Sequence, residues 1–435
     1  MKNLLTRCAL RLLPVLVFLA FGTGAHAAID GLTGTTFNLT AKAGYLSTAE
    51  GGSYLMWGYA NGAAPMQFPG PTLIVNQGAV VTVNLANELS VPVSIVFPGQ
   101  SGVTANGGAA GVITREAPAA GGSVSYSFTA AQPGTYTYYS GTNSDLQVEM
   151  GLVGALIVRP TGYSESNKIA YNHPDSQYDR EYLFLLSDMD PTVHEKVAAG
   201  LPVDNAAWWP VYWLMNGRTA PDTMTPANNP LLPHQPYNCM PMMHPGDRVL
   251  LRMIGAGRDL HPFHVHGNEH KVIARDGRLL SSAAGADLAE NLFTSTVVPG
   301  STSDAIFSWT GAKLGWDIYG FTHATQPAYC DAGGNPTASY PADRMSQTAA
   351  DRCKPIPVAL PNQTDLTNGQ FYSGSPYLGT LGSLPPGEGG YNPNSGYMFM
   401  WHSHSEKELT NNDIFPGGML TMMIIEAPGV TLMNP

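Results

Sequence analysis

The sequence predicts an all-β protein of the sandwich type, and three observations predict it. Apolar runs are short and rich in β-branched and aromatic residues. Gly (48) and Pro (35) recur between them, in turn clusters such as Pro69-Gly70-Pro71, Ala120-Gly121-Gly122, Gln132-Pro133-Gly134 and Pro245-Gly246-Asp247. No long stretch repeats its apolar residues at helical spacing. Strands this short bury little alone and are expected to pack sheet on sheet.

The first 27 residues read as a targeting segment. Lys2, Arg7 and Arg11 make a positive start, an apolar run follows from Leu12 to Phe21, and Ala25-His26-Ala27 fits a small-x-small cleavage site. Export is expected, so the mature chain should be periplasmic or secreted. No later stretch approaches the length of a membrane span. With the three basic residues of the segment removed, 18 Lys+Arg face 32 Asp+Glu, a net charge of −14. That charge argues against nucleic acid or anionic membrane as a partner and suits cations.

A first domain is expected over residues 28–160, with strands at Val80–Leu85, Ser123–Phe128 and Leu152–Val158. Residues 161–180 are polar without alternation and read as a linker. The second domain covers 181–435, with strands at Tyr182–Leu186 and Arg248–Met253. An insert at about 311–396, rich in Gly, Pro, Ser and Asn, interrupts it. So long a stretch without secondary structure usually covers something or is functional. It carries Cys330 and Cys353, the natural disulfide pair in an oxidising compartment. Cys239 is left over as a buried or unpaired thiol.

Five of the twelve histidines fall in two stretches, His261-Pro262-Phe263-His264-Val265-His266-Gly267 and Met400-Trp401-His402-Ser403-His404. Side chains alternate along a strand, so His264 and His266 share a face, as do His402 and His404. Two such pairs on adjacent strands present four imidazoles to one volume, with His261 three residues upstream. An all-nitrogen set favours Cu(II) or Zn. The candidate metal ligands are therefore His264, His266, His402, His404 and His261. The alternative is a hydrogen-bonded role without metal, which is the reading for the isolated His173, His194, His234 and His323.

Lesser signals surround these stretches. Cys239-Met240-Pro241-Met242-Met243-His244 groups soft donors that suit Cu(I). Its plainer reading is a loop whose methionines fill packing gaps. Met398, Met400, Met419, Met422 and Met423 read as core-facing strand residues. Glu406 and Glu408 are expected to face solvent.

At these motifs the chain resembles the multicopper oxidases, which are built from cupredoxin-like Greek-key β-sandwich domains. The resemblance is carried by Phe68-Pro69-Gly70-Pro71-Thr72, Val75-Asn76-Gln77-Gly78, Gln132-Pro133-Gly134-Thr135-Tyr136 and Met150-Gly151-Leu152-Val153-Gly154 in the first domain. In the second it rests on Met215-Asn216-Gly217-Arg218, Pro245-Gly246-Asp247-Arg248-Val249 and the stretch from His261 to Gly267. It implies a two-domain, copper-dependent oxidoreductase, but the chain departs from the family pattern at the ligands. The family's His-Trp-His-Gly falls at Val96-Phe97-Pro98-Gly99, and its His-Ser-His at Tyr139-Ser140-Gly141. Its blue-copper cysteine falls at Ser403, and the next expected histidine at Glu408. A hydroxyl is a poor ligand for a soft redox copper.

What the resemblance then implies is one type 2-like copper held by the surviving imidazoles, with oxygen-to-water reduction lost. If the chain is an enzyme, its substrate would be a small molecule or a metal ion. Two other readings stay open: a non-catalytic copper or zinc storage protein, and a structural or interaction protein without metal. Two-domain members of the family often form trimers to share first-domain histidines. That reason lapses here, although interface geometry could still keep a homotrimer.

Overall fold

The computed structural model describes residues 29–311, 317–324, 326–344, 349–354, 375–376 and 396–432. The targeting segment and most of the expected insert lie outside the described residues. In the first half the strands are Leu32–Thr33 (β1), Thr36–Ser47 (β2), Ser53–Asn61 (β3), Gly70–Asn76 (β4), Val80–Asn87 (β5), Thr104–Gly107 (β6), Ala109–Ala110 (β7), Arg115–Glu116 (β8), Ser123–Thr129 (β9), Gly134–Tyr139 (β10) and Val153–Arg159 (β11). They form a four-stranded sheet, β1-β4-β11-β10, and a five-stranded sheet, β3-β2-β5-β9-β6. The short β7 and β8 pair with each other.

The second half contains Arg180–Met189 (β12), Tyr212–Met215 (β13), Met242–Met243 (β14), Arg248–Gly255 (β15), His261–Val265 (β16), His270–Arg275 (β17), Arg278–Leu279 (β18), Glu290–Leu292 (β19), Thr294–Val297 (β20), Thr302–Ser308 (β21), Ser375–Pro376 (β22), Tyr397–Ser403 (β23) and Leu420–Ile425 (β24). One sheet runs β13-β12-β15-β21-β17-β18, with β19 on β17. The other runs β14-β24-β23-β16-β20, with β22 on β23. The fold is all-β, as predicted, and each expected strand is present to within a few residues.

Alternation assigns each sheet its core. Between the first pair of sheets lie Leu39, Val81, Val83, Tyr126, Tyr138 and Leu156, among others. Between the second pair lie Phe184, Leu251, Met253, Phe263, Phe307 and Trp401. The two sandwiches also pack on each other. Met56, Phe68, Val153 and Ala155 of the first meet Leu185, Leu214 and Ile254 of the second in a third apolar layer. Strands β11, β12 and β15 are thus buried on both faces, which explains their near-continuous apolar runs.

Charge is buried in the same layer. Arg159 of β11 pairs with Glu181 of β12, which also accepts from Arg252 Nε at 2.9 Å. Arg252 in turn donates to Thr135 Oγ1 at 2.9 Å, and Thr135 and Tyr171 both donate to Asp304. Burial alone would raise Glu181, but the two guanidiniums outweigh it and hold the carboxyl down to about 2. The expected linker is not a loose tether. Ala170, Tyr171 and Tyr178 pack with Leu250, Ile273 and Ala274, because their aromatic surface costs more in water than the ordered backbone does.

Cys330 and Cys353 form the expected disulfide, and Cys239 is buried with its thiol donating to Met215 O. The described part of the insert lies against the second core through Tyr319, Phe321 and Tyr340.

Candidate metal centre

The antiparallel pair β16–β23 brings the two histidine stretches together. Its register places Phe263 opposite Ser403, His264 opposite His402 and Val265 opposite Trp401. Phe263, Val265 and Trp401 point into the core, and that burial fixes which face the intervening residues take. Trp401 Nε1 donates to His266 O at 3.1 Å and locks the end of the pair. His264 and His402 therefore stand side by side on the opposite face, flanked by His266 and His404.

The imidazoles converge. Ligand nitrogens of His264, His266 and His402 all lie within 4.8 Å of one another. His266 Nε2 is 3.1 Å from His402 Nε2. The His404 ring lies 4.7 Å from the His264 ring, centroid to centroid, but is half exposed and 3.6 Å from Glu406. His404 is thus placed at the rim of the trio rather than within it.

Neighbouring groups orient the rings. His402 Nδ1–H donates to Ser403 O at 2.6 Å, which leaves its Nε2 lone pair facing His266. The 3.1 Å contact must then be donated by His266 Nε2–H. His264 Nδ1 is hydrogen-bonded to Thr294 Oγ1 at 2.7 Å, across the β16–β20 pair. Burial, then the neighbouring imidazoles, lower the pKa of His264 to about 4, so its ring is neutral and metal-ready at neutral pH. Burial also lowers His402.

These residues fit a copper ion. Two imidazole nitrogens bound at about 2.0 Å to one metal, at angles near tetrahedral or square, are separated by roughly 3 Å. The His266–His402 separation meets that once the His266 proton is carried on Nδ1 rather than Nε2, a change of tautomer with no net loss of a proton. Thr294 and the Ser403 carbonyl supply the outer hydrogen bonds that metal-binding histidines use to fix their tautomer.

His261 is not part of the cluster. It has the parity of Phe263 and points to the other side of the sheet, where it is fully buried. Its Nδ1 lies 3.1 Å from Glu408 Oε2 and its Nε2 3.9 Å from Asp188 Oδ2. Burial pushes the Asp188 carboxyl up to about 7, against the pull of His261 and of the Arg258 and Asp259 amides. The expectation that Glu408 faces solvent is thus corrected. The turn Glu406–Leu409 sends Glu406 outward and tucks Glu408 beneath the strand, where His261 partners it.

One further expectation changes. Met419 and Met423 are core residues, but Met398, Met400 and Met422 lie on the outward face, because alternation splits the group. Of the isolated histidines, His194 and His234 donate to the carbonyls of Leu55 and Met66, the hydrogen-bonded role expected of them. Thr294 escaped the sequence reading, since only strand register shows that it faces His264. In the first sandwich, Val96 and Tyr139 are hydrogen-bonded side by side, and Phe97 is core.

A multicopper oxidase family model matches residues 51–162, within the first sandwich. The iron transport multicopper oxidase fetC of Epichloe festucae is 28% identical over 226 residues, 51% of this chain and 32% of the relative. L-ascorbate oxidase of Cucurbita maxima is 35% identical over 157 residues, 35% of this chain and 25% of the relative. The chain thus spans about a third or less of the length of these curated relatives. Among solved structures, multicopper oxidase mgLAC superposes with a TM-score of 0.55 at 21% identity, over 91% of this chain and 87% of that one. The blue copper oxidase from Nitrosomonas europaea gives 0.54 at 20% identity, over 90% and 85%.

Such structural likeness is one of fold, and it defines the class as cupredoxin β-sandwich proteins. Together with the family model over residues 51–162 and the partial matches to the curated relatives, it makes the chain similar to multicopper oxidases in sequence as well as in fold.

Proposed function

We propose that the protein is an exported copper-binding protein with a single type 2-like site, formed by His264, His266 and His402 with His404 at its rim. The observation that carries this reading is the convergence of three imidazole nitrogens within 4.8 Å, two of them 3.1 Å apart. Bound there, copper would supply Lewis acidity and a one-electron couple. The chain's own part is to hold neutral, oriented imidazoles, with the His266 proton on Nδ1 so that Nε2 is free. The resemblance to multicopper oxidases supports copper over zinc.

Oxidoreductase activity is at most reduced on this reading. The positions that the family uses for its thiolate copper carry Ser403 and the buried His261–Glu408 contact. The first-domain positions carry Val96, Pro98, Tyr139 and Gly141, none of which is a metal ligand of choice. The same observation favours the second reading, a non-catalytic periplasmic or secreted copper binder. The two-domain organisation, with boundaries near 160 and 180 and an insert at about 311–396, is part of the proposal.

Metal analysis and copper titration of the purified chain test it. One Cu(II) per chain is expected, with the electron paramagnetic resonance of nitrogen-bound type 2 copper and no intense blue band. His264→Ala and His402→Ala should each abolish stoichiometric binding. An intense blue band, or copper content unchanged in both variants, would overturn the reading. Oxidation of phenols or metal ions that disappears in His402→Ala would decide for an enzyme over a storage protein.

A further inference from the structure

The face that carries the histidines also carries thioethers. On β23, Tyr397, Phe399 and Trp401 point into the core, whereas Met398, Met400 and His402 point away from it. On β24, Met423 and Ile425 are core residues, and Leu420, Met422 and Ile424 take the outward face. Register then sets the neighbours. His264 is opposite His402, and His402 is opposite Leu420. One row along, the His266 amide donates to Met400 O, and Met400 is opposite Met422. His266, Met400 and Met422 thus form a row across three strands, directly beside the row of His264 and His402. Met240, Met398 and Met422 all pack on one small buried cluster of Met242, Ile424 and Leu432.

Sheet positions ordinarily select β-branched and aromatic residues, and a run of methionines on one face is not explained by strand propensity. Packing on Ala220, Leu409, Leu420, Met242, Ile424 and Leu432 accounts for part of each side chain but not for its exposed part. Met240, Met398, Met400 and Met422 are half-buried, neither sealed in the interior nor fully in water. Directly opposed residues of an antiparallel pair have Cβ atoms about 4.5–5.5 Å apart. With three rotatable bonds each, Met400 and Met422 can bring two sulfurs to one ion. A neutral thioether is a soft donor that selects Cu(I) and discriminates against harder divalent ions.

We propose that Met400 and Met422, with Met240 and Met398 packed beside them, form a second metal site, for a soft monovalent cation such as Cu(I), bordering the histidine cluster. The site binds without any redox step and does not require the histidines to hold copper. Two kinds of metal preference therefore adjoin on one sheet face: imidazoles for Cu(II), thioethers for Cu(I).

Ag(I), a redox-inert soft cation, is the probe. The full chain, first saturated with Cu(II), is titrated with Ag(I) against a competing chelator. Binding of a further Ag(I) is expected. Met400→Leu combined with Met422→Leu should weaken it by about tenfold or more, with the copper resonance unchanged. His264→Ala combined with His402→Ala should lose Cu(II) and keep Ag(I), which separates failure of this site from failure of the histidine reading. Equal Ag(I) affinity in the wild type and the methionine double variant would overturn the proposal, as would loss of Ag(I) in the histidine double variant. Should the methionine double variant fail to fold, the methyl carbon resonances of Met400 and Met422 in the wild type decide. They should move on Ag(I) addition, and their constancy would sink the site.

Discussion

His261 Nδ1 lies 3.1 Å from Glu408 Oε2, with both side chains buried on the core side of β16. Ser403 shares that side, paired with Phe263, and its hydroxyl accepts from the Ser405 amide at 3.1 Å. Ser403 and Glu408 are thus each engaged by a hydrogen bond, while the buried His261 Nε2 has none. The Glu408 carboxylate occupies His261 Nδ1 directly, so that nitrogen is not free for a metal.

Introducing a thiolate alone should therefore not create a blue site. Ser403→Cys with Cu(II) is expected to give no intense blue absorption while Glu408 keeps its hold on His261. Ser403→Cys with Glu408→His should produce it. Absorption spectra of the two variants check this, and a blue single variant would refute it.

Removing the partner of His261 should cost stability. Glu408→Ala leaves a buried imidazole without its acceptor and a void beneath the turn. A loss of roughly 2–4 kcal/mol is expected. Urea unfolding at neutral pH measures it, and a change below about 0.5 kcal/mol would show the contact to be incidental.

The Arg159–Glu181–Arg252 group should set the acid limit of the fold. The folded carboxyl of Glu181, held at about 2, lies below its unfolded value near 4.5. Its contribution is complete above about pH 4.5 and is lost as pH falls toward 2. Glu181→Gln should lower stability by roughly 3–5 kcal/mol at pH 7 and flatten the dependence between pH 4.5 and 2. Thermal melts across that range check both.

Glu426 should act in the opposite sense. Burial raises its carboxyl to about 7, and the side chain lacks a partner at Oε2. Stability tied to this group is complete below its unfolded value near 4.5 and is lost as pH rises to about 7. Glu426→Gln should be more stable than wild type at pH 8, by about 1–3 kcal/mol, and equal to it near pH 4. An unchanged melting temperature at pH 8 would contradict this.

Much of this was legible in the residues. Strands at Val80, Ser123, Tyr182 and Arg248 announced themselves by short β-branched runs between Gly and Pro turns. The pairs His264/His266 and His402/His404 followed from period-two alternation, since each pair had to share a face. The disulfide followed from two cysteines in one loop-rich region. Three things were not legible. His261 looked like a fifth ligand because sequence proximity is blind to the face a residue takes. Glu408 looked exposed because nothing local says where a short turn will tuck its third side chain. The methionines of β23 and β24 looked uniform because alternation shows which residues share a face, not which face is the core.

By itself, then, the sequence determined the β-sandwich architecture, the pairing of histidines within each strand and the serine that stands between His402 and His404. These depend on local alternation, turn chemistry and residue identity, which a linear chain carries in full. Only the tertiary structure decided that His264 and His402 stand opposite each other, with His266 and Met400 in the next row, while His261 turns away to Glu408. Register between strands some 140 residues apart is set by which side chains the core can bury, here Phe263, Val265 and Trp401, and that choice exists only once the sheets have packed.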